Sequence, residues 1–347
     1  MKHIHIGHHF FGSGNLGDDF MLAGFLLGLK NNHYKLTCCV PYDLNPLKTR
    51  FPQITWLPYD KMSRLAAIAE SDVWLGLGGS PFQINASNWF VNHLKEETEF
   101  CSKFNKPMFY LGIGGQDKEA YTHPDIEHVI HSAKAIWTRD QLTYEYLKKQ
   151  SIPTTALQCG SDLSHLYFKN TTYSGKKSNN LGICLNFDYI KWPNFTSVIN
   201  ELSQSSEFSS RNWLVQESRP LPEAEHTLYE TLSPSERNNW EFTPLYADRP
   251  VPFLSTQPHW SIPEYLLSSR FHAAIANAWG GSKVVILEIN LKLRSIAEAL
   301  RLPCLSLSTS NSKIVKTLLE AEPTPKDLLL SHAHLAEQSV TEFISSI

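Results

Sequence analysis

Short apolar runs alternate with segments of helical period along the whole chain, and this alternation predicts an α/β protein with mostly parallel sheets. In the first half, strands are predicted at His3–Ile6, Leu36–Val40, Ile54–Leu57, Val73–Leu77, Met108–Ile113, Ala135–Thr138 and Thr155–Leu157. Helices are predicted between them at Asp18–Lys30, Lys61–Glu70, Asn88–Phe104, Asp125–Ala133 and Asp140–Gln150. The polar run Lys169 to Asn180 is rich in turn residues and reads as a linker. A second series follows, with strands at Leu181–Asn186, Trp213–Gln216, Leu266–Ser268, Lys283–Leu287 and Cys304–Leu307. Its helices are expected at Pro222–Thr231, Phe271–Trp279, Lys292–Arg301 and Asn311–Glu320. Leu245–Pro258 reads as a surface loop, and Pro325–Ile347 as one or two helices packing over the domain junction. The layout implies two Rossmann-like domains facing a cleft, residues 1–168 and 181–324, with a C-terminal helical tail, 325–347. In open parallel sheets ligands bind at the carboxyl ends of strands, so the loops that follow strands carry the information.

Composition narrows the choice. The 347 residues suffice for two domains of ordinary size, about 100–200 residues each, and a formal charge of −3 suggests neither a nucleic-acid binder nor a disordered chain. His3, His5, His8 and His9 crowd the N-terminus, but no Cys or carboxylate spacing completes a coordination set, and no metal is expected. The six cysteines include no C-x-x-C, the N-terminus has no signal-peptide pattern, and no apolar run reaches about 18 residues. A reduced, cytoplasmic protein without a transmembrane segment is expected, and a peripheral role at the inner face of the membrane stays open.

The loops that follow strands carry the candidate chemistry. After the first strand comes Gly12-Ser13-Gly14-Asn15-Leu16-Gly17-Asp18-Asp19, whose glycines allow close approach of main chain to a ligand. It is not a dinucleotide fingerprint: the glycines arrive late after the strand, and the next strand ends Cys38-Cys39-Val40-Pro41 without the ribose-binding acid. Asn15 and Asp18 are placed at the cleft edge, although Asp18 also suits a helix N-cap. Gly78-Gly79 and Gly112-Ile113-Gly114-Gly115 end the fourth and fifth strands and suggest a broad groove of the kind a sugar needs. Arg139 leaves the sixth strand, where it can fork onto a carboxylate or phosphate or pair with Asp140 at the surface. Gly160-Ser161-Asp162 is a weaker candidate. Finally, Ser268-Ser269-Arg270-Phe271-His272-Ala273-Ala274 reads as strand, turn and helix start, with Ser269 as N-cap. A permanent cation and an imidazole beside a helix N-terminus suit a small anion on which a proton is moved. A capped helix with a solvated Arg and a buried His is the plainer alternative.

Taken in order, Gly14-Asn15-Leu16-Gly17-Asp18, Leu77-Gly78-Gly79, Leu111-Gly112-Ile113-Gly114, Arg139-Asp140, Gly160-Ser161-Asp162 and Ser269-Arg270-Phe271-His272-Ala273 resemble the polysaccharide pyruvyl transferase family. So does the Gly280 to Leu287 strand leading to Lys292, while Phe187 to Pro258 carries little of the resemblance. The resemblance implies a GT-B-like fold and a pyruvyltransferase of polysaccharide biosynthesis in the cell envelope. Such an enzyme moves the enolpyruvyl carbons of phosphoenolpyruvate to a saccharide acceptor, free or lipid-linked, forms a ketal and releases phosphate. It implies no cofactor beyond phosphoenolpyruvate as donor, and a donor side in the second domain. Arg139, Arg270, Ser269 and Lys292 then bind the donor. His272 protonates the methylene carbon with Arg270 beside it, Asp18 is the candidate base, and Asn15, Gly14, Gly78 and Gly79 contact the acceptor. Two alternatives compete. One is a nucleotide-sugar-dependent GT-B glycosyltransferase, with Glu288 available to a ribose. The other is a non-catalytic sugar-binding member of the family.

Overall fold

A computed structural model of the chain describes residues 1–30, 34–84, 89–116, 118–150, 156–171, 173, 177–188, 191–219, 221–244 and 262–347. They form two units: Met1–Ser13, Asp18–Tyr167 and Ser331–Ile347 make the first, and Gly14–Gly17 with Phe168–Leu330 the second. The expected loop at 245–258 and part of the expected linker, at 172 and 174–176, lie outside the described residues.

The first unit is built on a parallel sheet of seven strands, β1 (His3–Ile6), β2 (Lys35–Val40), β3 (Ile54–Pro58), β4 (Val73–Leu77), β5 (Met108–Ile113), β6 (Ala133–Thr138) and β7 (Leu157–Cys159), in the order β3-β2-β1-β4-β5-β6-β7. Every residue of β1, β4 and β5 is buried, as expected of central strands covered on both faces. Helices α1 (Leu16–Gly28), α2 (Leu44–Arg50), α3 (Lys61–Glu70), α4 (Trp89–Lys103), α5 (Pro124–His131), α6 (Gln141–Lys148) and α7 (Ser164–Lys169) lie between or after these strands. Asp60 and Asp140 cap α3 and α6 by accepting the N–H groups of Ser63 and Thr143. One core gathers Trp74, Phe82, Phe90, Tyr110 and Tyr121.

The second unit repeats the plan with β8 (Lys177–Cys184), β9 (Ser210–Val215), β10 (Glu241–Pro244), β11 (Pro263–Ser268), β12 (Lys283–Glu288) and β13 (Cys304–Ser306), all parallel, in the order β10-β9-β8-β11-β12-β13. Its helices are α8 (Phe195–Gln204), α9 (Glu225–Glu230), α10 (Pro234–Arg237), α11 (Phe271–Trp279), α12 (Leu291–Leu300) and α13 (Asn311–Glu320). The core packs Trp192, Phe195, Trp213, Trp240, Leu267 and Leu287. Edge strand β10 was not expected from the sequence, since Glu-Phe-Thr-Pro has no apolar run. Helix α8 was also missed, although Phe195, Val198, Ile199 and Leu202 fall at helical spacing and are buried. The tail is a single helix, α14 (Lys326–Ser346). From Ser331 onward it belongs to the first unit, where the Phe343 ring packs against Phe25, Phe109 and Trp137.

The N-terminal histidines are part of this core. His5 Nδ1 and His3 Nε2 each lie 3.0 Å from the Thr37 hydroxyl, which can donate to one ring and accept from the other. His8 Nδ1 donates to the Leu77 carbonyl at 3.1 Å. Burial is the main cause that pushes the pKa of His5 and His8 down to about 3 and that of His9 down to about 4. The three rings are therefore neutral in the folded protein at pH 7.

Two predictions follow from this packing. Gly24, inside α1, has no room for a side chain: a Cβ there would lie 1.8 Å from the Leu163 carbonyl oxygen, which is backbone and cannot swing away. Helix propensity favours Gly24→Ala by about 1 kcal/mol, but overpacking costs about 1–3 kcal/mol or more. Denaturant unfolding of Gly24→Ala is expected to show a net loss of stability; a gain refutes the packing argument. The histidines set an acid limit. The folded state binds their protons only near pH 3–4, whereas the unfolded chain binds them near pH 6.5. Stability is therefore lost as pH falls below about 6.5, and near pH 5 each ring adds about 1.4 kcal/mol per pH unit to the slope. Unfolding curves at pH 7 and pH 5 test this, and His5→Gln should make the dependence shallower.

Candidate functional site

In the second sheet the strand order reverses between β8 and β11, the switch point at which a parallel sheet opens a crevice at its carboxyl edge. The chain delivers Asn186 there after β8, Gln216 and Glu217 after β9, and Ser269 to His272 after β11. Ser268 shapes the last turn: its hydroxyl accepts from the Arg270 N–H at 3.0 Å and lies 2.9 Å from the Arg270 carbonyl. The N-cap of α11 is Arg270, not Ser269 as the sequence suggested, and no side chain caps the helix. Ser269 instead accepts the Asn186 N–H through Oγ at 2.5 Å, tying the ends of β8 and β11 together.

Arg270 is buried and fully engaged. Its Nε bonds Glu225 Oε1, and Nη2 donates to Glu225 Oε2 at 3.1 Å, a two-pronged pair. Nη2 also lies 3.5 Å from Glu217 Oε2. With the Asn186 amide oriented to donate to the Glu223 carbonyl at 2.7 Å, its oxygen accepts from Arg270 Nη1 at 3.2 Å. Burial alone would lower the pKa of this guanidinium, but the Glu225 and Glu217 carboxylates outweigh it and hold the pKa above its ordinary value. Burial would likewise raise the Glu217 pKa. Hydrogen bonds from Arg219, whose Nε donates at 2.7 Å, and the charge of Arg270 reverse that and hold it low. Glu217 is therefore ionised at neutral pH.

The glycine loop reaches the same edge. Leu16 N–H donates to the Gln216 carbonyl at 3.3 Å, Ser218 N–H donates to the Gly14 carbonyl at 2.9 Å, and Asn15 pairs with Glu217 as an antiparallel bridge. Asn15 Oδ1 accepts from Gly17 N–H at 3.1 Å. Gly17 is required by proximity: a Cβ there would lie 2.1 Å from His272 Nδ1. Main chain thus lies against the imidazole on the first turn of α11, a helix whose nine residues are all buried. At that end the first-turn N–H groups point out of the helix and favour an anion.

Of the residues expected from the sequence, the second unit brings together Gly14, Asn15, Ser269, Arg270 and His272. It also carries Lys292, the second residue of α12. Arg139, Asp18, Gly78 and Gly79 belong to the first unit. Arg139 is buried, 3.4 Å from Asp162 Oδ2 and donating to Ser80 Oγ at 3.1 Å. Asp18 stands in the first turn of α1. Gly78 and Gly79 have φ of 63° and 75°, and their peptides are bonded to Leu111 and Gly114. Glu288 pairs with Arg294 at 2.5 Å. Sequence reasoning missed Glu217 and Glu225. The available signal for Glu217 was its place directly after a predicted strand, at the edge where parallel sheets bind ligands.

No family model and no curated protein matches this sequence. Solved structures do match its fold. The UDP-GlcNAc 2-epimerase of Methanocaldococcus jannaschii superposes with a TM-score of 0.63 at 11% identity, over 99% of this chain and 100% of that one. The Neisseria meningitidis UDP-GlcNAc 2-epimerase bound to UDP-GlcNAc gives 0.63 at 12%, over the whole of both chains. The Anabaena protein HepE in complex with UDP-glucose gives 0.61 at 11%, again over both whole chains. The two parallel-sheet units and the C-terminal helix are thus the GT-B-like fold of these proteins. Pyruvyl transfer, expected from the ordered motifs, is overturned by the same finding: the neighbours are nucleotide-sugar proteins and none of these is a pyruvyl transferase. The physical reason lies in the site. Every nitrogen of the Arg270 guanidinium already has a protein partner, two of them carboxylate-bonded, which leaves little for the phosphate and carboxylate of phosphoenolpyruvate.

Removing Glu225 leaves a buried cation short of its main partner. Glu225→Ala is expected to destabilise the protein by about 3–5 kcal/mol, and Arg270→Met added to it should restore much of the loss. Denaturant titration of the single and double variants checks this. Equal stability of wild type and Glu225→Ala contradicts the pairing.

Proposed function

We propose that the protein is an enzyme that binds a nucleoside diphosphate sugar in its second unit and acts at the sugar carbon bonded to the diphosphate. The observation that carries this is the amino end of α11 at the β8/β11 switch point, with Gly17 against His272 and with Arg270 already neutralised. A diphosphate needs outward N–H groups and close main chain more than it needs a free arginine. Arg270, held by Glu225 and Glu217, fixes the turn from β11 into α11. His272 supplies the proton that a departing or returning diphosphate oxygen requires. The fold shared from end to end with UDP-GlcNAc 2-epimerases, and with HepE in complex with UDP-glucose, supports uridine as the nucleoside. No described helix is long and apolar enough to cross a membrane. Six free cysteines fit a reducing compartment such as the cytoplasm.

Calorimetric titration with UDP, UDP-GlcNAc and UDP-glucose, set beside phosphoenolpyruvate, tests the reading, with the sugar products followed by NMR. UDP and at least one UDP-sugar should bind, and phosphoenolpyruvate should not. His272→Gln should keep UDP affinity while turnover falls about 10²–10⁴-fold. Absence of UDP binding, or full turnover in His272→Gln, overturns it.

A further inference from the structure

Trp89 is 50% exposed, whereas Trp56, Trp74, Trp137, Trp192, Trp213, Trp240 and Trp279, the other described tryptophans, are buried. An indole left in water on a rigid helix is the informative exception, because a large apolar ring is normally covered. It opens a stripe on α4. Trp89, Asn92, His93, Glu96 and Glu99 recur at helical spacing on one face, while Phe90, Val91, Leu94 and Cys101 point into the core. The stripe and Tyr59, directly after β3, line a pocket of about 480 Å³. That is within the range of small-molecule sites, about 300–1,000 Å³.

The walls are rigid. His93 Nε2 donates to the Gly7 carbonyl at 2.9 Å, so Nδ1 is the acceptor and takes hydrogen bonds from the Tyr59 hydroxyl at 2.8 Å and Arg64 Nη1 at 3.3 Å. Burial above all, with the nearby Arg64 charge, holds the His93 pKa well below its ordinary value, and this neutral tautomer persists. Behind the wall His9 packs its ring 4.4 Å from Tyr59, 4.4 Å from His93 and 5.1 Å from Trp89. Its Nδ1 is buried without a hydrogen-bond partner.

We propose that this pocket of the first unit binds a neutral saccharide. The exposed Trp89 ring offers a face for the apolar C–H surface of a pyranose, Tyr59 lines the pocket with the Arg64 guanidinium over its ring at 4.7 Å, and a carboxamide and carboxylates offer acceptors and donors for the hydroxyls. The lining gives an anion little to hold: its cation Lys95 is paired with Asp125 at 2.9 Å, Glu96 is paired with Arg64 and with Lys61, and Glu99 adds a carboxylate. Nucleotides and phosphates are thereby disfavoured, and a polyhydroxylated, uncharged ligand is favoured. The inference stands apart from the nucleotide site proposed for the second unit.

Saturation-transfer NMR on the full chain tests it, with the methyl glycosides of glucose, galactose and N-acetylglucosamine at millimolar concentration as probes. At least one should bind, and Trp89→Ala should weaken it at least about tenfold. With half of the ring in water, Trp89→Ala should remain folded and keep the wild-type affinity for UDP. Asn92→Ala, a second variant that leaves the ring in place, should also weaken binding. If none of the glycosides binds, or if binding survives both substitutions unchanged, the inference is wrong, whatever the UDP titration shows.

Discussion

A guanidinium keeps its proton at any physiological pH, so each arginine that the fold buries must be given an acid. Arg50, Arg64, Arg139 and Arg270 are all buried, and each has one: Asp19, Glu96 with Glu97, Asp162 and Glu225 with Glu217. The last set governs the candidate site. Glu225 and Glu217 fix Arg270, Arg270 fixes the turn from β11 into α11, and that turn places His272 against Gly17. Because Asn15 pairs with Glu217 through main chain, the glycine loop is locked to the same acid that neutralises the arginine. The ion pairs build the turn from which α11 starts.

The first unit uses the same constraint differently. Glu97 is wholly buried, accepting from Arg64 at 2.8 Å and from the Trp74 indole at 2.8 Å, and desolvation still pushes its pKa up to about 7 despite both bonds. Arg64 also meets His93, whose other nitrogen holds the Gly7 carbonyl at the end of β1. The polar network therefore orders the carboxyl edge of that sheet around Tyr59 and Trp89. Its histidines read in the sequence as a crowded N-terminus; in the structure His3 and His5 share a threonine hydroxyl, His8 bonds a carbonyl through one nitrogen, and His9 packs among aromatic rings.

Much of the fold was legible because central parallel strands have to be apolar on both faces. Val73–Leu77 and Met108–Ile113 coincide with β4 and β5 for this reason, and Phe271–Trp279 coincides with α11, a helix buried all round. What failed lay where pattern and burial part company. β10 is a polar edge strand, paired on one side only. Glu217 and Glu225 drew no notice, since one sequence cannot show that a distant arginine will be buried beside them. Arg270 accordingly looked like a free cation awaiting an anion. Glycine-rich strand exits pointed to a particular transferase, yet such exits serve the fold: Gly78 and Gly79 turn the chain at φ of 63° and 75°, and Gly17 leaves the space that an imidazole fills. That packing is compatible with several chemistries, so the motifs carried the architecture and misled about the reaction.

Arg270 is a fixed, internally neutralised element beside the proposed ligand site, not a hand that closes on the ligand. A crystal structure of the full chain with UDP tests this most directly. The account predicts the diphosphate at the amino end of α11, beside Gly17 and His272, with the Arg270–Glu225 pair intact. Density showing Arg270 swung away from Glu225 onto the phosphates, or UDP bound away from α11, would contradict it.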